Sequence, residues 1–337
     1  MSDLPKASIV IPCRSEEKFI GKCLDSILAN DYPKDRLEIL VVDGMSEDGT
    51  RRTVESYGHN YAFIRLLDNP KKITPAALNI GIANAKGEII MRMDAHNTYP
   101  PNYISGLVGW LEKTQADNVG GVCITVPATQ TFMAEAIALA LSHPFGVGNA
   151  YFRIGVKEPR WVDTVPFGCY RREVFDRIGM FDERLVRNQD IEFNMRLRRA
   201  GGKLFIAPEI QSYYFCRANL GGLWRQNFQN GQWNIYTVTL TGKLLSWRHF
   251  VPLCFVAGLL GSGLLSLKFS SFRWLFGAIS TAYLVSAVIA SLANSRERLA
   301  RGARVLLPLV FLVLHVSYGL GSLWGITTLA RVRRDGH

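Results

Sequence analysis

The sequence predicts an α/β protein, in which a mostly parallel sheet with helices on both faces is followed by a C-terminal α-helical membrane region. Within the first 125 residues, short apolar runs rich in β-branched residues alternate with helical patterns, as they do in βαβ units. The apolar runs are nearly continuous, which is typical of parallel strands buried on both faces. After Phe250 the composition changes to long apolar stretches with few charges, which are typical of membrane helices.

The individual elements follow from apolar periodicity and turn residues. Apolar residues spaced three and four apart between Phe19 and Leu28 indicate an amphipathic helix. Thr74 followed by Pro75 predicts an N-cap with proline at the first helical position. The segment 127–170 is predicted to form long irregular loops that bind or cover a ligand. Strands are expected at 7–12, 37–43, 62–67, 88–93 and 119–126, and helices at 17–29, 49–57, 74–86, 102–113 and 189–200.

The chain is expected to divide into a domain of residues 1–240 and a membrane region of residues 241–337. The membrane region contains two to three apolar segments, at about 250–267, 274–293 and 305–330. The formal net charge is +11, and eleven basic but only two acidic residues lie from Leu240 onward. A basic surplus beside apolar stretches favours an anionic membrane surface as the partner. The preceding part has no stripe of basic and aromatic residues, so no nucleic-acid partner is expected.

The arginine-rich segment NSRERLARGAR, between the second and third apolar segments, predicts the membrane topology. By the positive-inside rule this segment is cytoplasmic, so the first two apolar segments form a hairpin. A straight third crossing would leave the basic tail outside, and Pro308 and Gly319 therefore predict a re-entrant or broken helix. Gly321-x-x-x-Gly325 would let two helices approach closely.

The N-terminal sequence MSDLPKASIVIP lacks the features of a secretory signal. The first domain is therefore expected to face the cytoplasm at the inner membrane. The alternative is that the apolar stretches are buried helices of a soluble domain. The six cysteines are scattered without a C-x-x-C pair, which disfavours a zinc site or a disulfide framework and indicates reduced, mostly buried thiols.

The fourth predicted strand ends in Asp94-Ala95-His96, at the edge where parallel sheets bind ligands. Asp94 could bind a divalent cation through carboxylate oxygen. A histidine nitrogen from His96 would favour Mn²⁺ over Mg²⁺. Such a cation would bind a diphosphate and stabilise it as a leaving group. The alternative for an isolated D-x-H is a turn-capping aspartate beside an ordinary polar histidine.

Two further strand ends carry polar residues. The second strand ends in VVDGMSEDGT, where Asp43 could accept a hydrogen bond from a base and Asp48 could cap the next helix. The first strand ends in IPCRSEE, a proline-containing turn that can offer backbone groups to a ring edge. These ends contain neither a Walker loop nor G-x-G-x-x-G, which excludes a P-loop and a Rossmann dinucleotide site.

The segments SIVIPCRSEEKFIGKCLDSIL, VVDGMSEDGT, PAALNIGIANAKGEIIMRMDAH and GMFDERLVRNQDIEFNMRLRRAG resemble the successive motifs of the family 2 inverting glycosyltransferases, which have the GT-A fold. The resemblance covers roughly residues 7 to 210. The DAH-x-x-YPP variant and the apolar tail are similar to the exopolysaccharide branch, in particular the succinoglycan-type glucosyltransferases. The resemblance implies a UDP-sugar donor, a divalent cation (Mn²⁺ or Mg²⁺) and inversion to a β-linkage.

The resemblance also implies roles for individual residues. Asp94 would bind the ribose or the metal, and His96 the metal, where the family usually has a second aspartate. Asp190 of the pair Gln189-Asp190 would be the general base that takes the proton of the acceptor hydroxyl; the alternative is a helix-start carboxylate favoured by the helix dipole. The nucleotide-sugar site would comprise Pro12, Cys13, Arg14, Glu16, Asp43, Lys72 and Asp94.

Four weaker candidates concern the acceptor. QNGQW, with Gln229 and Trp233, resembles the Q-x-x-R-W motif of processive synthases. Trp233 could stack on an acceptor sugar, or lie at a membrane interface as aromatic residues often do. Gln232 replaces the arginine of that motif, which argues against processivity. Arg153 and Arg172 could pair with phosphates, although a solvated or ion-paired role is the more frequent one for arginine.

The expected function is transfer of a sugar, with glucose the expected one, to a lipid-linked (polyprenyl diphosphate) saccharide in exopolysaccharide biosynthesis. Other polysaccharide-assembly proteins are candidate partners. The first alternative is a glycosyltransferase whose acceptor is polyprenyl phosphate itself. The second is a non-catalytic nucleotide-sugar-binding subunit of a synthase complex.

Overall fold

The computed structural model describes residues 4–242, 245–293 and 301–335. The chain forms two compact units. The first runs up to Ile124 and includes Gly155–Tyr214. The second contains Thr125–Ile154 and the chain from Phe215 onward. The predicted boundary at residue 240, between the first domain and the membrane region, stays a prediction.

The first unit is built on four parallel strands in the order β3-β2-β1-β4. Ala7 of the central strand lies opposite Leu37 on one side and Ile89 on the other. The carboxyl ends of these strands therefore share one edge. All four were predicted, with ends within two residues. They are β1 (Ala7–Cys13), β2 (Leu37–Asp43), β3 (Ile64–Asp68) and β4 (Ile89–Arg92).

The other half of the sheet is antiparallel, so the sheet is mixed but mostly parallel where the site lies. Strand β8 is inserted between β4 and β6 and runs antiparallel to both. Of these strands, only the one at 118–126 was predicted. They are β5 (Asn97–Thr98), β6 (Asn118–Val126), β7 (Arg160–Val162), β8 (Cys169–Arg171) and β9 (Leu204–Phe215).

Helices cover the sheet of the first unit, and their apolar residues form its core with the strands. Ile20, Leu24 and Ile27 are fully buried on one face of the first helix, as their spacing predicts. The third helix begins at Thr74 with Ile73 at the N-cap, so the predicted cap is displaced by one residue. The helices are α1 (Ile20–Leu28), α2 (Thr50–Asn60), α3 (Thr74–Asn84), α4 (Tyr103–Thr114), α8 (Glu173–Ile178) and α9 (Gln189–Arg199).

The second unit is helical among its described residues apart from the strand ends that reach into it. The loops predicted at 127–170 are wrong for the first part of that segment, which contains three helices. An alanine-rich stretch there buries six of its nine side chains, and Glu135 is its only charged residue, so its helix shows no polar face in the sequence. The helices are α5 (Phe132–Ala140), α6 (Pro144–Val147), α7 (Tyr151–Ile154), α10 (Leu220–Thr241), α11 (Val251–Leu265), α12 (Ser270–Leu292) and α13 (Arg301–Asp335).

Three helical segments are long and apolar enough to cross a membrane: Trp247–Leu265, Ser270–Leu292 and Gly302–Leu329. The predicted break in the third is wrong, because α13 continues through Pro308 and Gly319. A proline removes one helical hydrogen bond without having to end the helix when neighbouring helices support it. A Cβ on Gly319 would clash with the carbonyl oxygen of Pro252, so this glycine serves close packing.

Helices α10 and α13 approach closely through glycine. A Cβ on Gly231 would clash with the carbonyl oxygen of Tyr318, and one on Gly321 with that of Phe228. A Cβ on Gly325 would lie 3.0 Å from the carbonyl oxygen of Gln232. The close approach expected from Gly321-x-x-x-Gly325 is therefore confirmed. Most of the predicted cytoplasmic arginine-rich segment, residues 294–300, lies outside the described residues.

Candidate active site

The loops that follow β1 and β2 are joined by hydrogen bonds at the carboxyl edge of the sheet. The backbone N–H of Ser15 donates to Oγ of Ser46 over 2.8 Å, and that of Glu16 donates to Oγ1 of Thr50 over 2.9 Å. Asp48 accepts hydrogen bonds from the backbone N–H and the hydroxyl of Thr50. These bonds lower the pKa of the Asp48 carboxyl, the hydroxyl having the largest effect. Asp48 therefore binds the first N–H of α2, although Gly49 and not Asp48 occupies the N-cap position.

Asp43 ends β2 with a fully buried carboxylate. It accepts hydrogen bonds from the backbone N–H of Ser46 over 2.8 Å and from its hydroxyl over 2.5 Å. Arg51 donates to the same carboxylate over 2.9 Å and also binds Asp68 over 2.8 Å. A carboxylate has about four acceptor positions, and these bonds occupy three of them.

Other residues of the predicted nucleotide site surround this edge. Nη1 of Arg14 contacts the backbone oxygen of Lys72 over 3.5 Å. Lys72 has a backbone φ of +58°, a conformation that non-glycine residues rarely adopt. Burial raises the pKa of the Cys13 thiol, and the nearby charges of Asp43 and Glu16 raise it further. Cys13 therefore contributes a neutral thiol at the end of β1.

Asp94 follows β4 and is held by the side chain of Arg92. Nε of Arg92 donates to Oδ1 of Asp94 over 3.1 Å, and Nη2 donates to Oδ2 over 3.4 Å. Both side chains are largely buried, with exposures of 13% for Arg92 and 16% for Asp94. The backbone N–H of Asp94 donates to the hydroxyl of Tyr99 over 2.7 Å. Arg92 therefore holds the carboxylate of Asp94, and Tyr99 holds its backbone.

His96 lies two residues further on and pairs with Glu16. Nδ1 of His96 is 3.4 Å from Oε1 of Glu16, and its ring meets that of Tyr214 edge to face at 6.2 Å between centroids. A carboxylate at Nδ1 orients a histidine so that Nε2 can bind a metal. Glu16 was predicted for the nucleotide site, and the structure places it against the histidine.

The donor atoms of Asp94 and His96 fit a cation that takes most of its ligands from the substrate. Among the described residues, no group of three or more His, Cys, Asp or Glu side chains could bind a metal by itself. Mg²⁺ and its close analogues are usually bound through one or two protein groups together with substrate phosphates. The carboxylate of Asp94 and the imidazole of His96 would be these two protein groups.

Asp190 lies in the first turn of α9 and accepts a 2.9 Å hydrogen bond from the backbone N–H of Ile191. One turn later, Asn194 is fully buried. Its Nδ2 donates to Oγ1 of Thr164 and to the backbone oxygen of Val165, and its Oδ1 accepts from Asn118. Because residues four apart share a helix face, these bonds also fix the position of Asp190.

Arg92 connects the strand end with the start of α9. Burial by itself would lower the pKa of Arg92, but the charges of Asp94 and then of Asp190 raise it above its ordinary value. The carboxylate expected to bind the donor and the carboxylate expected to act as the base therefore both interact with one guanidinium.

Residues 8–179 match the sequence profile of the family described as Glycosyl transferase family 2. The match covers half of the chain. The chain belongs to glycosyltransferase family 2.

Two members of the family illustrate how far the similarity extends. The dolichyl N-acetyl-α-D-glucosaminyl phosphate 3-β-D-2,3-diacetamido-2,3-dideoxy-β-D-glucuronosyltransferase of Methanococcus voltae is 30% identical over 66% of this chain and 71% of its own. The succinoglycan biosynthesis protein ExoA of Rhizobium meliloti is 31% identical over 73% of this chain and 74% of its own. The resemblance read from the sequence is confirmed.

Solved structures show the same fold at lower identity. The mannosyltransferase PcManGT of Pyrobaculum calidifontis, in complex with GDP-Man and Mn²⁺, superposes with a TM-score of 0.60 at 19% identity. The alignment covers 96% of this chain and 88% of that one. TarS 1–349 of S. aureus, in complex with UDP-GlcNAc, gives 0.51 at 16% identity over 96% and 92% of the two chains. The predicted GT-A-like fold is confirmed.

The candidate acceptor residues of this glycosyltransferase are divided between the two units. Arg172 belongs to the first unit, where its Nε donates to the backbone oxygen of Gly87 over 2.7 Å. Gly87 precedes β4, so Arg172 lies at the opposite end of that strand from Asp94. Arg153 lies on α7 of the second unit, with its guanidinium 5.5 Å from the ring of Phe152. Gln229 and Trp233 lie on α10, and the ring of Trp233 meets that of Tyr236 edge to face.

The residue that the sequence analysis missed is Arg92. It lies in the apolar run IIMRM, where a charged side chain is costly to bury without a partner. That cost could have pointed to Arg92 from the sequence, because a buried arginine two residues from Asp94 implies an ion pair. The effect of the Asp190 charge on Arg92 could not be read from the sequence, since Asp190 is almost a hundred residues away.

Proposed function

We propose that this family 2 enzyme transfers a hexose, expected to be glucose, from UDP to a lipid-linked saccharide with inversion at the anomeric carbon. The acceptor would be a polyprenyl diphosphate saccharide of exopolysaccharide assembly. The observation that carries the proposal is that the first unit presents two carboxylates, Asp94 just beyond the carboxyl end of β4 and Asp190 in the first turn of α9. One carboxylate belongs to the strand edge that binds ligands, and the other begins a helix.

In the proposed reaction, Asp190 takes the proton of the acceptor hydroxyl while that oxygen attacks the anomeric carbon. The bond from the anomeric carbon to the diphosphate oxygen breaks, and UDP leaves from the opposite face. Asp43, Arg14 and Lys72 would bind the nucleoside and its phosphates. A divalent cation bound by Asp94 and His96 would stabilise the negative charge of the leaving diphosphate.

A lipid-linked acceptor is supported by the second unit and by one relative. The three long apolar segments would keep the enzyme at the bilayer surface, where such an acceptor lies. The name of the Methanococcus voltae relative describes an acceptor that is a lipid phosphate already carrying a sugar. This favours a preloaded lipid over bare polyprenyl phosphate.

The membrane part of the proposal places the first unit and the chain end in the cytoplasm at the inner membrane. The arginine-rich segment and the basic tail both favour this orientation. Because α13 is unbroken, it would then lie along the bilayer and not cross it. A fluorescent protein that folds only in the cytoplasm, fused after His337, should be bright. Alkaline phosphatase activity from the same fusion point would instead show that the third segment crosses and carries the tail outside.

The transfer itself is tested with membranes from expressing cells. They are incubated with a panel of nucleotide sugars and with lipid extracts, and the mass of each extended lipid is measured. The expected product is a lipid-linked saccharide one hexose heavier, formed from UDP-glucose and absent with Asp190→Asn. Extension of bare polyprenyl phosphate would favour the alternative acceptor. Nucleotide-sugar binding without any product from any lipid would favour the non-catalytic alternative.

A further inference from the structure

One hydrogen-bond donor of Arg92 has no partner in the described structure. Nε and Nη2 bind the two oxygens of Asp94, but Nη1 is buried and forms no hydrogen bond. A buried donor without a partner costs about 1–3 kcal/mol, and such groups are rare in native proteins. An explanation is therefore needed for a guanidinium nitrogen that is enclosed and unused.

The surroundings of Arg92 hold the guanidinium in place. The backbone N–H of Arg92 donates to the oxygen of Gly168 over 3.0 Å. The ring of Phe167 lies 5.8 Å from the guanidinium carbon, within the range of a cation–π contact. Phe167 has a backbone φ of +44°, and strained residues of this kind are concentrated at ligand sites. The side chain is thus positioned before any ligand arrives.

The location of Arg92 suggests the ligand. In the proposed inversion, the base and the leaving diphosphate lie on opposite faces of the anomeric carbon, with the sugar ring between them. Arg92 is bonded to Asp94, on the diphosphate side, and is close enough to Asp190, on the base side, to respond to its charge. A group in this position lies along the transferred sugar.

We propose that Arg92 is a specificity-determining residue whose free Nη1 donates a hydrogen bond to a hydroxyl oxygen of the transferred hexose. This inference rests on the proposed function, because it requires a sugar between Asp94 and Asp190. A neutral hydroxyl fits better than a further anion, since the carboxylate of Asp94 already balances the single positive charge. The same bond would orient the ring for attack at the anomeric carbon.

The competing explanation is that Arg92 only positions Asp94. The two explanations differ in what a substitution does to bare UDP and to a UDP-hexose. A residue that positions Asp94 affects both ligands equally, because both carry the diphosphate. A residue that also binds the sugar affects the UDP-hexose more than bare UDP.

The first arm measures dissociation constants by calorimetry on the full chain in nanodiscs. The hexose nucleotide is whichever of UDP-glucose, UDP-galactose, UDP-GlcNAc and GDP-mannose the wild type binds most tightly, with its bare nucleotide as reference. Arg92→Lys and Arg92→Gln should weaken hexose-nucleotide binding about 10- to 100-fold, the loss expected for a hydrogen bond to a charged group. Binding of the bare nucleotide should weaken clearly less, because it loses only the support that Arg92 gives to Asp94.

The matched control is Arg171→Gln. Arg171 lies on the neighbouring strand with 23% exposure and binds Glu112 and the backbone oxygen of Leu111. Its loss removes a half-buried arginine from the same sheet without touching Asp94. It should leave both dissociation constants unchanged.

The second arm starts with the wild type, so its first measurement does not depend on how well the variants fold. Each hydroxyl of the hexose is removed in turn in a set of monodeoxy nucleotide sugars. One analogue should bind about 10-fold or more weakly than the parent, and that penalty should disappear in Arg92→Gln.

Three outcomes would overturn the inference. The first is an equal loss of bare nucleotide and hexose nucleotide in the Arg92 variants, which would make Arg92 a residue that positions Asp94. The second is a set of analogues that all bind like the parent. The third is a wild type that binds none of the nucleotides. This result would overturn the proposed function as well, and it differs from the first two outcomes because the wild type itself fails to bind.

Discussion

A buried side chain of the first unit and a set of side chains of the second show two different uses of polar groups. In the first unit, Arg92 is enclosed with a donor that no group of the described residues accepts. In the second unit, buried polar groups on facing helices pair with one another: the hydroxyl of Tyr318 accepts from Asn234 and contacts His249, and that of Tyr236 contacts Thr328. Paired groups fix how helices pack. An unpaired group keeps binding capacity for a ligand.

The three long apolar helices show the same contrast within the second unit. Only 11% and 17% of the residues in the first two segments are buried, against 44% in the third. Helices α5 and α10 pack against α13, and α10 carries many amide side chains. Helix α13 therefore acts as the structural support of this unit, whereas α11 and α12 present exposed apolar surface suited to lipid.

The largest effect is expected from Asp94→Ala. This change removes a proposed cation ligand and leaves the Arg92 guanidinium without its partner. Removing one member of a buried ion pair typically costs 3–5 kcal/mol, and the pair here is slightly exposed, so we expect a loss of about 3 kcal/mol in unfolding free energy. Nearly all transfer activity should also be lost.

Denaturant unfolding and the lipid-extension assay measure these two effects separately. Glu112→Gln breaks an exposed ion pair with Arg171 in the same unit and serves as the control, with at most about 1 kcal/mol lost. Near-normal turnover by Asp94→Ala would remove Asp94 from the mechanism.

The next largest effect is expected from Asp190→Asn. Asparagine is nearly isosteric but a very poor base, and loss of a general base costs about 10²- to 10⁴-fold in rate. UDP affinity should barely change, because Asp190 acts on the acceptor. If UDP binding were lost while transfer stayed normal, Asp190 would belong to the donor site and the mechanism would be wrong.

A substitution in the second unit should lower stability without changing the chemistry directly. A side chain at Gly321 would meet the backbone of Phe228, so Gly321→Leu should force α10 and α13 apart at a cost of about 1–3 kcal/mol. Gly277→Ala on α12 is the matched control, because a Cβ there has no neighbour within 4 Å. Thermal unfolding in detergent should separate the two variants. Equal melting temperatures would contradict the close packing of the two helices.

The smallest effect is expected from His96→Asp. Activity should be retained, and the metal preference should shift from Mn²⁺ towards Mg²⁺ because a harder ligand replaces a nitrogen. Glu16 lies beside this position, so the new carboxylate would face a like charge. That repulsion should affect the binding of Mn²⁺ and Mg²⁺ equally. Pairing the change with Glu16→Gln removes that repulsion.

Metal titration after chelation gives the half-saturating concentrations of Mn²⁺ and Mg²⁺ for both variants. An unchanged ratio of the two would show that His96 does not contact the cation.

The sequence by itself determined the parallel half of the sheet, its flanking helices and the strand-end residues. Near-continuous apolar strands separated by periodic helices leave few alternatives. Because parallel strands end at one edge, Asp43 and Asp94 could be placed at that edge from the sequence alone. The long apolar segments were also determined locally, by length and composition.

Only the tertiary structure decided which of these residues meet. Strand β8 lies between β4 and β6 although it comes later in the chain than both, and no local pattern specifies that insertion. The pairing of His96 with Glu16 and the action of Asp190 on Arg92 join residues distant in sequence. The continuity of α13 was likewise decided by neighbouring helices, which support it past Pro308. Contacts between distant segments depend on which helix and strand faces pack together. A single sequence shows which residues form each face, but it does not show which other face they pack against.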